Sequence, residues 1–152
     1  MCLLTSTIYH KKDENNVIKC FVAQEDILVY KCLEFDYGEY STPFRYMRIV
    51  FTKGKYVYNK ANMDETAYCG KYTSAAIKVG IHTYSTKAVA MASKLSYSKL
   101  HYAVIPKGSN FYIGIDGDVV SNNLIVYREK RCFDRHYPNI IGFSEYMDKY
   151  LK

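Results

Sequence analysis

Tryptophan is absent, and proline occurs only three times in 152 residues. No apolar run approaches the roughly 18 residues that a membrane-crossing helix needs, so no membrane partner is expected. The first ten residues carry no basic run ahead of an apolar stretch, so no secretory signal is expected either. No C-x-x-C pair is present. The five cysteines, Cys2, Cys20, Cys32, Cys69 and Cys132, are odd in number and scattered, which suits reduced thiols in a cytoplasmic protein better than a disulfide framework. N-x-[ST] acceptors are missing as well. So are the chemistry-bearing motifs: there is no G-x-x-x-x-G-K-[ST], no G-x-G-x-x-G after a strand, no H-E-x-x-H and no G-x-S-x-G. Cys132 and His136 have C-x3-H spacing, but no second close pair completes a tetrahedral site. No metal, no cofactor and no catalytic residue is therefore expected. An N-terminal nucleophile at Cys2 would need Met1 removed, and Leu3 stands where glycine usually follows such a cysteine.

What is present is a globular balance, with 49% hydrophobic and 24% charged residues, which excludes disordered and collagenous chains. One domain over 1–152 is expected for this length. Tyrosine is abundant, at 17. The net charge is +6, and its placement is uneven. Residues 1–65 balance nine Lys/Arg against nine Asp/Glu, and residues 116–152 balance six against six. Residues 66–115 hold six lysines and no acid. Such a stretch is either a solvated face or a surface for an anion.

Short segments rich in β-branched and aromatic residues read as strands: 17–23, 27–35, 44–51 and 56–58, then 101–105, 111–115, 119–120 and 124–127. Asp116-Gly117 signals a type I′ hairpin turn, and Pro106-Lys107-Gly108-Ser109 has turn composition. A helix follows Ser85 or Thr86, either of which can cap it, with Ala88, Val89, Ala92 and Leu95 on one face. A second, short helix is expected at 144–151, capped by Ser144, with Glu145 near its positive end. The fold class is thus α+β: mostly antiparallel sheet, one central helix and a short C-terminal helix.

Three clusters are candidates for anion recognition. His82, Tyr84, Ser85 and Thr86 join a strand to the central helix, and Lys78 and Lys87 flank them. A histidine can donate to an anion, a tyrosine can stack on a base, and the first turn of a helix offers N–H groups. Arg45, Tyr46 and Arg48 form the second cluster. Arginine grips phosphate bidentately, and alternation on a strand turns Arg45 and Arg48 to opposite sides. The third cluster is Arg128, Lys130, Arg131 and Arg135, and Lys107 is a further single candidate, in a turn that resembles only a fragment of a phosphate loop. Each cluster also has a plain structural reading, as helix cap, charged edge strand or turn. Arg128, Lys130, Arg131 and Arg135, broken by Glu129 and Asp134, read as a solvated surface.

Several stretches in order resemble a family of small uncharacterised proteins from bacteriophages and gut bacteria, over most of residues 1–127. They are Met1-Cys2-Leu3, Ala23-Gln24-Glu25-Asp26-Ile27 with Tyr30-Lys31, and Tyr40-Ser41-Thr42-Pro43-Phe44-Arg45-Tyr46. They continue with Gly80-Ile81-His82-Thr83-Tyr84, Ile105-Pro106-Lys107-Gly108-Ser109, Phe111-Tyr112-Ile113-Gly114 and Val120-Ser121. The resemblance implies phage or prophage origin and a host cytosol setting, with no mechanism attached. By analogy, some small phage proteins sequester nucleotide immune signals. A second run is similar to ADP-ribosyltransferase-like domains: Gly80-Ile81-His82, Ser85-Thr86, Ala88 to Ala92 and Val104-Ile105-Pro106. That resemblance implies a late catalytic carboxylate, which only Glu129, Asp116 or Asp118 could supply here.

The expected function is a non-enzymatic binding protein for a phosphorylated small molecule, a nucleotide signal above all, with a counter-defence role. Two alternatives stay open. One is a structural or protein-interaction module contacting an acidic host protein. The other is an ADP-ribosyltransferase-like enzyme using His82, Tyr84 and Glu129. Specific nucleic-acid recognition is not expected from so modest a charge without a reading motif.

Overall fold

The computed structural model describes residues 3–5, 20–36, 39–41, 50–51, 56–60, 64–68, 75–79, 81–93, 98–114 and 117–151. Side chains are described in 20–33, 81–92, 98–114 and 117–151. In chain order the strands are β1 (Leu3–Thr5), β2 (Phe21–Val22), β3 (Ile27–Asp36), β4 (Glu39–Ser41), β5 (Val50–Phe51), β6 (Tyr56–Lys60), β7 (Asp64–Tyr68), β8 (Ala75–Val79) and β9 (Ile81–Tyr84). Helix α1 (Lys87–Ser93) comes next, then β10 (Ser98–Ile105), β11 (Asn110–Ile113), β12 (Asp118–Ser121) and β13 (Asn123–Tyr127). Helix α2 (Lys130–His136), β14 (Ile141–Gly142) and helix α3 (Phe143–Tyr150) complete the described elements. The architecture is α+β and mostly antiparallel. Its main sheet runs β2-β11-β12-β9-β3-β10-β13-β6, and a small sheet, β1-β8-β7, reaches β11 and β12 through β1.

Strand β3 organises the main sheet. Along one edge it pairs with the whole of β10, from Ile27↔Ile105 to Glu34↔Ser98. Its other edge is shared in succession by β14, parallel at Ile27 and Leu28, by β9 at Tyr30↔Tyr84, and by β4 from Glu34 onward. Strand alternation then divides its side chains. Ile27, Val29 and Leu33 enter the principal core with Ala103, Ile105, Ile81, Val119, Leu124 and Val126. Leu28, Tyr30 and Cys32 face the helices. Helix α1 covers Cys32 and Tyr84 through Ala90, while α2 lays Cys132 and Phe133 on Val104 and Tyr127. Helix α3 packs Phe143 and Tyr146 edge-on against Phe111.

Four details depart from the sequence reading. The buried residue of α1 is Ala90, whereas Ala88 and Ala92 are exposed, because seven residues give a helix only two turns and one contact stripe. Gly142 occupies the N-cap of α3, and Ser144 lies exposed inside the first turn. Helix α2 was not anticipated; its charges are the solvated surface read from the sequence, with Lys130–Asp134 at 2.8 Å and Arg131–Glu129 at 2.6 Å. The hairpin joining β11 to β12 closes through Gly114 and Gly117, with β11 ending at Ile113. Gly114 N–H donates to Asp118 O at 2.7 Å, Gly117 N–H reaches back to Gly114 O, and Gly117 has φ +85°. That is the pattern of a turn closed by a left-handed glycine. Residues 115–116 lie outside the described residues.

The principal core also holds polar groups. Lys31 and His101 stand opposite each other in register, both 5% exposed. Strand β9 pairs with β3 only at Tyr30↔Tyr84. Just beyond, the Lys31 Nζ donates across the gap to the carbonyl of His82 at 2.5 Å. A side-chain amine of β3 thus links the two strands just beyond their one backbone register pair. Burial pushes the Lys31 amine down to about 8. Burial also lowers the His101 pKa, against a hydrogen bond between its Nδ1 and the Tyr127 carbonyl at 3.2 Å.

Candidate functional site

Where β3's second edge passes from β14 to β9, a cleft of about 230 Å³ opens. Three separate segments line it: Leu28 and Tyr30 from β3; Ser85, Thr86 and Lys87 at the start of α1; and Gly142, Phe143, Ser144 and Glu145 at the start of α3. Its floor is apolar and aromatic, and its rim carries hydroxyls, one cation and one carboxylate. Tyr30 leans on Tyr102 with ring centroids 5.3 Å apart, and Lys130 sits 5.4 Å over the Tyr102 ring. Burial, with Tyr102 adding to it, raises the Tyr30 pKa, so this phenol stays protonated at neutral pH.

The hydrogen bonds around Ser85 and Thr86 hold this wall in place. The Ser85 N–H donates to Gly117 O at 2.8 Å, which ties the start of α1 to the β11–β12 turn. Thr86 is the cap: its Oγ1 accepts the Val89 N–H at 3.1 Å. One of the helix donors expected to meet a ligand is therefore already used within the helix. Gly117 is required beside it. A Cβ there would come within 3.1 Å of both Ser85 Oγ and Val89 Cγ2.

The candidate residues read from the sequence are distributed as follows. Ser85 and Thr86 line the cleft together with their neighbour Lys87. Tyr84 is buried beneath α1, alongside Cys32 and Ala90. His82 shares its face of β9 and is half-buried, with its carbonyl taken by Lys31. Lys107 is exposed on the Pro106–Ser109 turn, where its N–H donates to Asp26 Oδ1 at 2.8 Å, and it does not line the cleft. Lys78 lies on β8 with its side chain outside the described residues, as are Arg45, Tyr46, Arg48 and Cys2 altogether. Glu129 stands at the N-cap of α2, paired with Arg131, and is not part of the cleft. Cys132 is buried in the core, and His136 Nδ1 lies 2.8 Å from the Tyr127 hydroxyl. Among the described residues, no group of three His, Cys, Asp or Glu side chains is placed to hold a metal. No helix among them is long and apolar enough to cross a membrane.

Sequence reading missed Tyr30, Lys87 as a lining residue, and Ser144 with Glu145. Tyr30 was hidden by its place in a strongly apolar strand. Ser144 and Glu145 had been assigned to capping chemistry, which uses the same residue types as ligand binding. No family model, no curated protein and no solved structure matches this chain.

Proposed function

We propose that the chain is a non-enzymatic binding protein and that this cleft takes a phosphorylated small molecule. The observation that carries the reading is Lys87. It lines the cleft, is exposed, and has no ion-pair partner among the described residues. Around it Ser85, Thr86 and Ser144 supply hydroxyls, which can donate to phosphate oxygens, and Tyr30 supplies an aromatic surface. Of the lining residues only Glu145 is a carboxylate, and no histidine or cysteine joins it, which suits binding better than acid–base chemistry. In its finer form the ligand is a nucleotide immune signal. The setting is then the host cytosol, and the role is counter-defence by a protein of phage origin. Tyr30 beside Tyr102 supports that form, because aromatic faces stack on any base.

The test is a thermal-shift screen against mono-, di- and cyclic nucleotides and simple phosphate monoesters, with mass spectrometry of small molecules released on denaturation. A ligand at 100 times its Kd stabilises the fold by about 2.7 kcal/mol. The expected result is a rise in Tm that Lys87→Ala abolishes. Absence of any shift with every phosphorylated compound would overturn the reading and turn the search to an acidic protein partner.

A further inference from the structure

Lys87 and Glu145 line the same cleft from different helices. Both side chains are exposed, and neither has a charged partner among the described residues, so each keeps its charge open to a ligand in the cleft. The cleft between them is floored by Leu28, Tyr30 and Phe143. Both charges are held on ordered backbone: Lys87 by the Thr86 cap, and Glu145 by a helix whose Tyr146 is locked into the core. The volume of about 230 Å³ is below the range of roughly 300–1,000 Å³ typical of pockets that enclose drug-sized ligands. A second phosphate placed beyond the first, toward the far end of the cleft, would set its negative charge against Glu145.

We infer that the ligand is dipolar: a phosphate monoester at Lys87, joined through its body to an ammonium or amidine-type N–H group, such as that of a base, at Glu145. This rests on the reading of the cleft as a phosphate site and adds the requirement at the far end. A carboxylate accepts strongly from a charged or polarised N–H, and a ligand lacking that donor leaves Glu145 facing its own negative charge.

The experiment is calorimetric titration at low ionic strength with O-phosphoethanolamine, glycerol 3-phosphate and ethanolamine, on the full chain and on Glu145→Gln and Lys87→Ala. The two phosphates differ in the ammonium. The expected preference for O-phosphoethanolamine is roughly three- to tenfold, the worth of one charge-assisted contact at a half-open site. It should collapse in Glu145→Gln, while glycerol 3-phosphate binds that variant as well or better. Amide spectra of each variant report whether it remains folded, and shifts at residues 85–87 and 143–145 locate the probe. Equal binding of the two phosphates, unchanged in Glu145→Gln, would overturn the dipolar inference and leave the phosphate site standing. Failure of both phosphates, or ethanolamine binding as tightly as its phosphate ester, would overturn both.

Discussion

Lys31 offers the sharpest quantitative test of the fold. Its amine is buried in the principal core, with His101 opposite and the His82 carbonyl at 2.5 Å as its acceptor. Desolvation pushes its pKa from 10.5 in an exposed lysine to about 8. Between those values the unfolded chain binds a proton that the folded chain has released, so stability rises with pH. Below pH 8 the folded protein bears the whole cost of a buried ammonium, about 3 kcal/mol at 1.36 kcal/mol per unit. Raising the pH from 7.5 to 9.5 recovers about 2 kcal/mol of it. Lys31→Met keeps the volume and removes the titration. It also removes the Lys31 hydrogen bond to the His82 carbonyl, a loss of about 1 kcal/mol that is much the same at every pH and so cancels from the slope. Urea midpoints at pH 7.5, 8.5 and 9.5 make the comparison. Groups common to both proteins cancel, and the wild type should gain about 2 kcal/mol relative to the variant, or roughly 4–8 °C in Tm for a chain of this size. Parallel pH profiles would refute the placement of a charged amine in this core.

Gly117→Ala should destabilise by about 2–3 kcal/mol, because φ +85° and the two 3.1 Å approaches both oppose a methyl group. Gly108→Ala has the φ cost alone, with open space around it, and should lose only about 1 kcal/mol in the same urea titration. Thr86→Ala should cost about 1 kcal/mol and speed hydrogen exchange at the Val89 amide, while Thr86→Ser retains most of the cap. Tyr146→Phe removes the hydroxyl that accepts the Gln24 N–H at 2.9 Å, with an expected loss of about 1 kcal/mol in chemical denaturation.

The longest strands were legible because their burial follows the alternation that the sequence displays. Ile27, Val29 and Leu33 are buried, and β10, β11, β12 and β13 fall where β-branched and aromatic residues cluster. Helix α2 escaped because its apolar residues, Cys132 and Phe133, are adjacent and surrounded by charge, so seven residues show no helical period. β14 is two residues long and pairs in parallel with β3, a segment too short to show a strand period and a partner more than 110 residues away in sequence. For α1, alanines on both sides of the helix gave composition without direction. The buried one, Ala90, was chosen by the closeness of Cys32 and Tyr84.

Charge was least legible, since the sequence records neighbours along the chain and the cleft is built from neighbours in space. The acid-free stretch 66–115 suggested one basic surface. Within its described part, Lys87 lines the cleft, while Lys78 lies on β8, Lys99 on β10 and Lys107 on the turn tied to Asp26, none of them among the lining residues. The acid missing from the stretch is supplied by α3, since Glu145 faces the same cavity as Lys87. A run that is uniformly basic in sequence thus contributes to a locally balanced site. On the proposed reading, that balance favours a ligand with charge of both signs over one that is merely anionic, because a polyanion gains one attraction and incurs one repulsion in the same cleft. The net charge of +6 therefore bears on association and solubility, whereas the proposed selectivity rests on the residues that meet where β3, α1 and α3 line the cleft.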